Sequence, residues 1–277
     1  DNPMRFIFKT TYDQDIDLFR HNGRLYIAHN QGVQYLKPRA VGTPETVRVS
    51  GVANQTWGFR EFVDPEGKVG PQLLLTASDG LYVIEDDRAR PIVENKNRSF
   101  SAFTTQLSVI DPHRMWVGLA DGLASVRWTN GAWVNEGRVD GITEQVRSMY
   151  QSPDGRLWLG TQTAGLLILT NADARPGEAR PNAPVIKRYG AAQGLARGGA
   201  GVTALAGKPY VSVLGLTAVL DEKTDRFVPD TTFDVVPRTD DARTISFTEG
   251  PDGRVYVSAG REAAVMTRRP DGTWNTD

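Results

Sequence analysis

The stretch "VRSMYQSPDGRLWLGTQTAGLLIL" (146–169) contains three apolar runs that are separated by turn residues. The first run is followed by Pro-Asp-Gly, and Asp-Gly is a hairpin signal because both residues accept the positive φ of a tight two-residue turn. The second run, "LWLGT", is followed by a short polar segment and by a glycine that opens the third run. The pattern predicts three consecutive antiparallel β-strands.

This unit recurs along the chain. Five further segments align with its second and third runs, so there are six copies, and the residue that opens the third run recurs every 42 to 50 residues. Each copy also has one apolar run before it and one after it, which predicts a four-stranded antiparallel meander. The aligned positions are Gly32, Gly80, Gly122, Gly165, Gly215 and Ala263.

Such meanders are stable only when they are stacked. Several of them packed face to face around an axis bury a continuous core and leave only short edges. A period of this length with four strands is typical of a β-propeller, so we expect one all-β domain over residues 1–277, built from four-stranded antiparallel blades. The blades are predicted at 12–50, 51–95, 96–140, 141–190, 191–235 and 236–277.

The segment "MRFIFKT" (4–10) resembles a fourth strand and precedes the first complete unit. We therefore predict that it closes the ring by pairing beside residues 263–267, which would displace residues 272–275. This closure gives six blades. Seven blades remain an alternative, with the missing strands supplied from outside this sequence. We favour six, because an open ring exposes strand edges and apolar faces.

The composition argues against several classes of partner and site. Lys and Arg total 32 and Asp and Glu total 33, so no overall positive field exists to hold nucleic acid or an anionic membrane. The chain has no Cys, which excludes a disulfide framework, a thiolate metal site and a Cys nucleophile. No window approaches the roughly 18 consecutive apolar residues of a membrane span. We expect a soluble, mature or excised piece that binds no nucleic acid.

The opening stretch resembles the repeat of the two-component regulator propeller family. The segment "MWVGLADGLASVRW" (115–128) resembles it as well, whereas "YVSVLGL" (210–216) lacks the Trp and "SAGREAAV" (258–265) lacks the Gly. The matching positions of the opening stretch are Val146, Ser148, Asp154, Gly155, Leu157, Trp158, Gly160, Thr161, Gly165 and Leu166.

The resemblance implies an extracytoplasmic input domain of a sensor histidine kinase, a hybrid two-component protein or a diguanylate cyclase. Such a domain is periplasmic and is followed by a connector domain, a membrane helix and a cytoplasmic output domain. Many members of the family are associated with glycans, which implies a small polar ligand such as an oligosaccharide fragment. A homodimer is among the assemblies that the resemblance allows.

Geometry predicts where a ligand would bind. In a propeller, the connectors between blades and the turns between second and third strands gather at one end, and loops on a rigid scaffold carry recognition residues. The connectors supply amide, guanidinium, carboxylate and indole groups, which suit a polar neutral ligand such as a sugar. The candidate ligand-binding residues are Asp15, Asn54, Trp57, Arg98, Gln145, Arg147 and Arg243.

No catalytic residue, metal site or cofactor site is predicted. His21, His29 and His113 lie in different turns and are expected to be exposed, and a G-x-S-x-G nucleophile elbow is missing. The tryptophans Trp116 and Trp158 are expected to pack between blades rather than to stack on a ligand.

A six-bladed metal-dependent hydrolase or lactonase is the alternative. Its axis-side candidates are Asp15, Asp17, Asn54 and Glu144. A pure interaction scaffold is a third class, but the Gly-His and Trp-Asp pairs that are typical of it are missing.

Overall fold

The computed structural model describes residues 15–39, 42, 44–94, 100–173, 184–236, 245–250, 252–259 and 262–276. These residues form 24 β-strands and one short 3-10 helix, Ala191–Gln193. All strands have three to eight residues. Residues 4–10, the predicted closing strand, lie outside the described part of the chain.

The strands are grouped in six sheets of four. In the first three they are β1 (Asp15–His21), β2 (Arg24–His29), β3 (Gly32–Lys37), β4 (Glu45–Arg48), β5 (Thr56–Phe62), β6 (Gln72–Ala77), β7 (Gly80–Glu85), β8 (Arg88–Glu94), β9 (Ala102–Leu107), β10 (Arg114–Leu119), β11 (Gly122–Thr129) and β12 (Ala132–Arg138). In the last three they are β13 (Val146–Gln151), β14 (Leu157–Thr161), β15 (Leu166–Thr170), β16 (Val185–Tyr189), β17 (Gly201–Leu205), β18 (Lys208–Val213), β19 (Leu216–Asp221), β20 (Arg226–Pro229), β21 (Ile245–Glu249), β22 (Val255–Ala259), β23 (Glu262–Arg268) and β24 (Trp274–Thr276).

Within each sheet the strands are ordered as in the sequence, and neighbours pair antiparallel. The predicted fold class is confirmed: the chain is a six-bladed β-propeller with four-stranded antiparallel blades. Three strand positions differ from the prediction by one residue. The third strand begins at Leu166 in the fourth blade and at Leu216 in the fifth, one residue after Gly165 and Gly215. In the sixth blade it begins at Glu262, one residue before Ala263.

The predicted displacement of residues 272–275 is wrong. Trp274–Thr276 forms β24 and pairs with β23 through Arg268, Thr267 and Met266. The fourth-strand position of the last blade is therefore filled by the strand that follows β23 directly in the chain. A short turn brings this strand alongside β23, so the pairing needs no rearrangement of the blade.

The chain divides into two compact units. One comprises Asp1–Phe103 and Trp128–Asn135, and the other comprises Thr104–Arg127 and Glu136–Asp277. In the first unit, Tyr26 packs against Tyr35 and Phe59, with ring centroids 5.5 and 6.2 Å apart.

In the second unit, the two predicted packing tryptophans are confirmed as core residues. Trp116 is 2% exposed and packs with Leu157 and Leu167, and Trp158 is 1% exposed and packs with Val202 and Phe227.

A small residue in the second strand allows adjacent blades to approach each other. A Cβ atom added to Gly160 would lie 2.4 Å from the carbonyl oxygen of Ala200, just before β17, and 2.2 Å from Ser148 Oγ. At the same position of the fifth blade, Ser212 Oγ accepts a hydrogen bond of 3.0 Å from the backbone N–H of Ile245, at the start of the next blade. The glycine of "LWLGT" is therefore required by close approach to the next blade.

We expect Gly160→Ala to destabilise the fold by about 2–3 kcal/mol, because a methyl group cannot be added without moving backbone atoms. Chemical denaturation monitored by circular dichroism measures the loss. Gly70→Ala is the matched control, since a Cβ at Gly70 would meet nothing within 4 Å. Equal stability of Gly160→Ala and the native chain would contradict the close-approach explanation.

Candidate functional site

Two predicted ligand residues of the first unit are held by the second blade. The amide nitrogen of Asn54 donates to Asp79 Oδ2 at 2.5 Å. The indole nitrogen of Trp57 donates to Ser78 Oγ at 3.2 Å, and its ring lies 4.6 Å from the ring of Phe103. Asn54 is exposed and Trp57 is half-buried. Both residues thus border the turn between β6 and β7, at the end of the blade where the connectors lie.

Two other predicted residues belong to the second unit. The Nε atom of Arg147 donates to Gln162 Oε1 at 2.8 Å, and the backbone N–H of Gln162 donates to the carbonyl of Gln145 at 3.0 Å. Burial lowers the pKa of the Arg147 guanidinium. Arg147 and Gln145 therefore lie beside the turn between β14 and β15.

The remaining predicted residues are not assembled into a described site. Asp15 begins β1, and Arg98 and Arg243 lie outside the described residues. The described candidates form two groups, one of Asn54 and Trp57 in the first unit and one of Gln145 and Arg147 in the second. Their role in binding stays a prediction.

The axis-side candidates of the hydrolase alternative have other partners. Asp17 Oδ2 accepts the backbone N–H of Phe59 at 2.9 Å, and Asp17 Oδ1 accepts that of Leu18 at 2.9 Å. Burial raises the pKa of Asp17, although these hydrogen bonds and the nearby charge of Arg60 act in the opposite direction. Asp17 therefore connects β1 to β5.

Glu144, the fourth axis-side candidate, is bound to the connector and to β16. Glu144 Oε1 accepts a bond of 2.9 Å from Arg188 Nε, and Oε2 accepts the backbone N–H of Thr143 at 2.9 Å. Burial opposes ionisation, but these bonds lower the pKa of Glu144 on balance. Among the residues that the structure describes, no group of three or more His, Cys, Asp or Glu side chains is placed to hold a metal ion.

The prediction that the histidines are exposed is wrong for two of them. His21 is 6% exposed and His29 is fully buried, whereas the side chain of His113 is 33% exposed. Burial, followed by the charge of Arg48, lowers the pKa of His29 to about 4, so this ring is neutral at physiological pH. Turn position alone did not reveal that β5 contacts both residues, through Glu61 at His21 and through Thr56 at the backbone of His29.

The first unit contains a polar cavity that was not predicted from the sequence. Its volume is about 670 Å³. It lies where the β1–β2, β5–β6 and β7–β8 turns meet, at the blade end opposite the predicted connectors. The residues that line it are His21, Asn22, Arg24, Tyr26, Val69, Gly70, Pro71, Gln72, Ile84, Glu85, Asp86 and Asp87.

Hydrogen bonds hold one wall of this cavity around His21. The amide nitrogen of Asn22 lies 3.1 Å from His21 Nε2, and His21 Nδ1 lies 2.6 Å from Glu61 Oε2. With the Asn22 amide as donor, Nε2 accepts and Nδ1 donates to the Glu61 carboxylate. The ring is thereby oriented from both sides, and the Asn22 amide oxygen is left to accept a bond from a bound molecule.

Another part of the cavity lining is charged. Arg24 forms an ion pair with Asp87, and its guanidinium lies 4.5 Å from the centre of the Tyr35 ring, while the Tyr35 hydroxyl donates to Asp87 Oδ2 at 3.0 Å. The lining has three carboxylates and one guanidinium, so it is negative overall. The consecutive acidic residues of the β7–β8 turn, Glu85 to Asp87, were the sequence signal that could have located this cavity.

A tryptophan is coupled to the same cavity. Trp133 Nε1 donates to Gln72 Oε1 at 3.0 Å, and the ring of Trp133 lies 4.6 Å from that of Phe62. Gln72 lines the cavity, so both hydrogen atoms of its amide nitrogen are available to a ligand while its oxygen is used by Trp133. A ligand that binds Gln72 would change the environment of the Trp133 indole.

A second polar cluster, in the second unit, is filled by its own ion pairs. Arg114, whose side chain is 3% exposed, donates to Glu136 through Nε at 2.8 Å and through Nη2 at 3.1 Å. Arg127 donates to Glu136 at 2.7 Å and to Asp111 at 2.5 Å. Burial alone would raise the pKa of Glu136 and Asp111, but the bonds from the arginines lower both on balance. The cluster therefore stabilises the fold rather than offering a binding site.

We expect the ion pairs of this cluster to make the free energy of unfolding decrease as the pH falls into the acid range. A carboxyl group whose pKa is lowered by folding contributes stability above its unfolded pKa of about 4, and this contribution is lost as the pH falls through the folded pKa. The urea midpoint should therefore fall between about pH 5 and pH 3. Glu136→Gln should make this decrease less steep and cost about 3 kcal/mol at neutral pH. An unchanged pH profile in Glu136→Gln would contradict the role of the ion pairs.

A separate stability effect is expected at Trp57. Trp57→Ala removes the contact with Phe103 and the bond to Ser78, which we expect to cost about 2 kcal/mol while the chain still folds. Trp57→Phe keeps the ring contact and should cost about half as much. Urea denaturation of both variants measures the difference. If Trp57→Ala were as stable as the native chain, the indole would have no packing role.

Comparison with known proteins supports the predicted family resemblance. Residues 140–163, which include β13, β14, Gln145 and Arg147, match the family model described as "Two component regulator propeller". A comparison of the sequence with the curated proteins gives no match. Among the described residues, no helix has the length and apolar character that crossing a bilayer would need.

Solved structures of several functional classes are similar in fold. The extracellular domain of BT4673, a hybrid two component system of B. thetaiotaomicron, is 13% identical with a TM-score of 0.61, covering 95% of this chain and 36% of that one. Virginiamycin B lyase from Staphylococcus aureus is 9% identical with a TM-score of 0.62, and the match covers 95% of this chain and 83% of the lyase chain. Regucalcin from Agrobacterium tumefaciens, a calcium-binding protein, is 14% identical with a TM-score of 0.53, and the match covers 91% of this chain and 84% of the regucalcin chain.

The chain spans about a third of the length of the BT4673 domain that it matches. At these identities the structural similarity shows the fold, and the fold is shared by sensor, lyase and calcium-binding proteins. The match over residues 140–163 is more specific, because it rests on the motif that contains Trp158 and Gly160. The chain is thus a six-bladed β-propeller that carries a two-component regulator propeller repeat at residues 140–163.

Proposed function

We propose that this chain is the input domain of a transmembrane signalling protein, located outside the cytoplasm. The repeat at residues 140–163 and the similarity to an extracellular domain of a hybrid two component system support this function. The ligand is a small polar molecule such as a glycan fragment. The rest of the signalling protein, with its membrane helix and output domain, is the partner that receives the signal, and a homodimer is the proposed assembly.

The polar cavity of the first unit is the observation that carries the ligand proposal. Its volume of about 670 Å³ lies within the range of roughly 300–1,000 Å³ that is common for small-molecule sites. Amide and carboxylate groups of Asn22, Gln72 and Glu85 line it, and they can donate to and accept from neighbouring hydroxyl groups. A sugar presents such hydroxyl groups on a rigid ring, so several hydrogen bonds form at a small cost in conformational entropy.

The ligand must also favour one conformation of the receptor. Binding shifts a conformational equilibrium only by the difference in affinity for the two states. The cavity is suited to this role because its walls come from three separate turns of two blades. A ligand that bonds to Gln72 on one side and to Asn22 on the other would hold these turns at one separation.

The cavity and the connector patches can be distinguished by mutation. We expect titration with a panel of monosaccharides and disaccharides to change the tryptophan fluorescence, because Gln72 is bonded to Trp133. Asn22→Ala should weaken the responding sugar about tenfold, since a lost hydrogen bond to a ligand removes about 1.4 kcal/mol. Trp57→Ala and Arg147→Ala should leave its affinity unchanged. If Asn22→Ala left the affinity unchanged while Trp57→Ala or Arg147→Ala weakened it, the ligand would be assigned to the connectors.

The proposed function is binding without catalysis. The pair of His21 and Glu61 at the cavity wall is the feature to test, because a histidine oriented by a carboxylate can act as a general base. We expect no turnover of lactone, ester or phosphoester substrates and no cleavage of virginiamycin B, the compound after which the similar lyase is named, monitored by chromatography. An activity that disappears in His21→Ala would contradict the proposal and indicate a propeller enzyme.

A further inference from the structure

A second cavity lies in the second unit, apart from the residues used above. Its volume is about 150 Å³, and it is bounded by β18 and β19 and by the two segments that precede β17 and follow β20. The residues that line it are Gly194, Leu195, Ala196, Val211, Val213, Leu216, Thr217, Ala218, Pro229, Asp230, Thr231 and Asp234.

The inner wall of this cavity is aliphatic. Val211, Val213 and Leu195 are 0%, 3% and 4% exposed and belong to one core cluster, so they form the closed inner end of the cavity. Gly194 and Ala218 have little or no side chain, which leaves the space open. The side chain of Leu216 is 63% exposed and extends the apolar surface towards solvent. The cavity therefore favours a short alkyl group.

Carboxylates lie at the same cavity. Asp230 Oδ1 accepts the backbone N–H of Thr232 at 2.9 Å, which fixes the direction of the carboxyl group, and Oδ2 lies 3.4 Å from the Lys208 ammonium, near the limit of a hydrogen bond. The pKa of Asp230 is lowered on balance: burial would raise it, and the bonds from Thr232 together with Lys208 outweigh burial. The carboxylate is thus ionised at neutral pH and can accept a bond from a second cation. Asp234 adds another acidic group to the lining.

We propose that this cavity binds a short primary alkylammonium ion, with the alkyl chain against Val211, Val213 and Ala218 and the ammonium group at Asp230. An apolar cavity of about 150 Å³ accommodates a group the size of benzene, which corresponds to about four to six carbon atoms. The aliphatic wall without an aromatic face suits a primary ammonium ion, because a quaternary ammonium ligand is usually held by aromatic rings. This site is independent of the sugar cavity of the first unit.

Pentylammonium chloride is the probe for this site. Titration of the whole chain, followed by nitrogen–proton correlation spectra and by calorimetry, should show saturable shifts at Val211, Val213 and Ala218. We expect pentylammonium to bind about tenfold more tightly than 1-pentanol, because the charged hydrogen bond to Asp230 is missing in the alcohol. Pentanoate should bind more weakly than both, since it places a negative charge beside Asp230.

Two variants separate the carboxylate from the apolar wall. Asp230→Asn keeps an oxygen that can accept the Thr232 N–H and should reduce the preference of pentylammonium over pentanol to about twofold. Ala218→Leu fills the cavity and should abolish the binding of both pentylammonium and 1-pentanol. Asp221→Asn, at the end of β19, is the matched control and should leave the affinities unchanged. Circular dichroism confirms that each variant is folded.

Two results would overturn the proposal. Equal affinity for pentylammonium and pentanol in the native chain would show that Asp230 takes no part. An absence of saturable shifts at the named residues would exclude binding there. Neither of these results depends on whether sugars bind in the first unit, so the failure of either proposal can be recognised separately.

Discussion

Adjacent blades pack together because the second strand of one blade lies very close to the first strand of the next. At this position the second to fifth blades have Thr76, Gly118, Gly160 and Ser212. The glycines leave no room for a methyl group, and the hydroxyl groups of Thr76 and Ser212 bond to the backbone of the following blade. Because the backbones approach so closely, the bulky residues beside them, such as Trp116 and Trp158, can fill the space between blades.

Both cavities described above are bounded in part by segments that connect strands. The polar cavity lies among the turns of the first two blades, and the aliphatic cavity lies among the connectors of the fifth. The two differ in chemistry because one is lined by turn residues with acidic and amide groups and the other by the ends of buried strands. Their ligands are accordingly expected to differ.

The β-propeller fold does not decide among functional classes, because an extracellular domain of a hybrid two component system, a lyase and a calcium-binding protein are all similar to this chain in fold. The repeat at residues 140–163 favours the sensor class. The side chains then have to supply the chemistry, and Asn22, Gln72 and the acidic turn supply groups for binding a polar molecule. The Glu61–His21 pair is the point at which an enzyme could still be recognised by experiment.

The repeat, the four strands of each blade and the core role of Trp116 and Trp158 could be predicted from the amino-acid sequence, because alternating apolar residues and Asp-Gly turns act locally. Gly160 could be located within a family motif, although the reason for that glycine is its contact with Ala200. The burial of His21 and His29, the pairing of Trp274–Thr276 with β23 and the position of both cavities could be recognised only in the folded chain. These features depend on residues far apart in the chain, such as His21 and Glu61, whose contact leaves no periodic signal in the sequence.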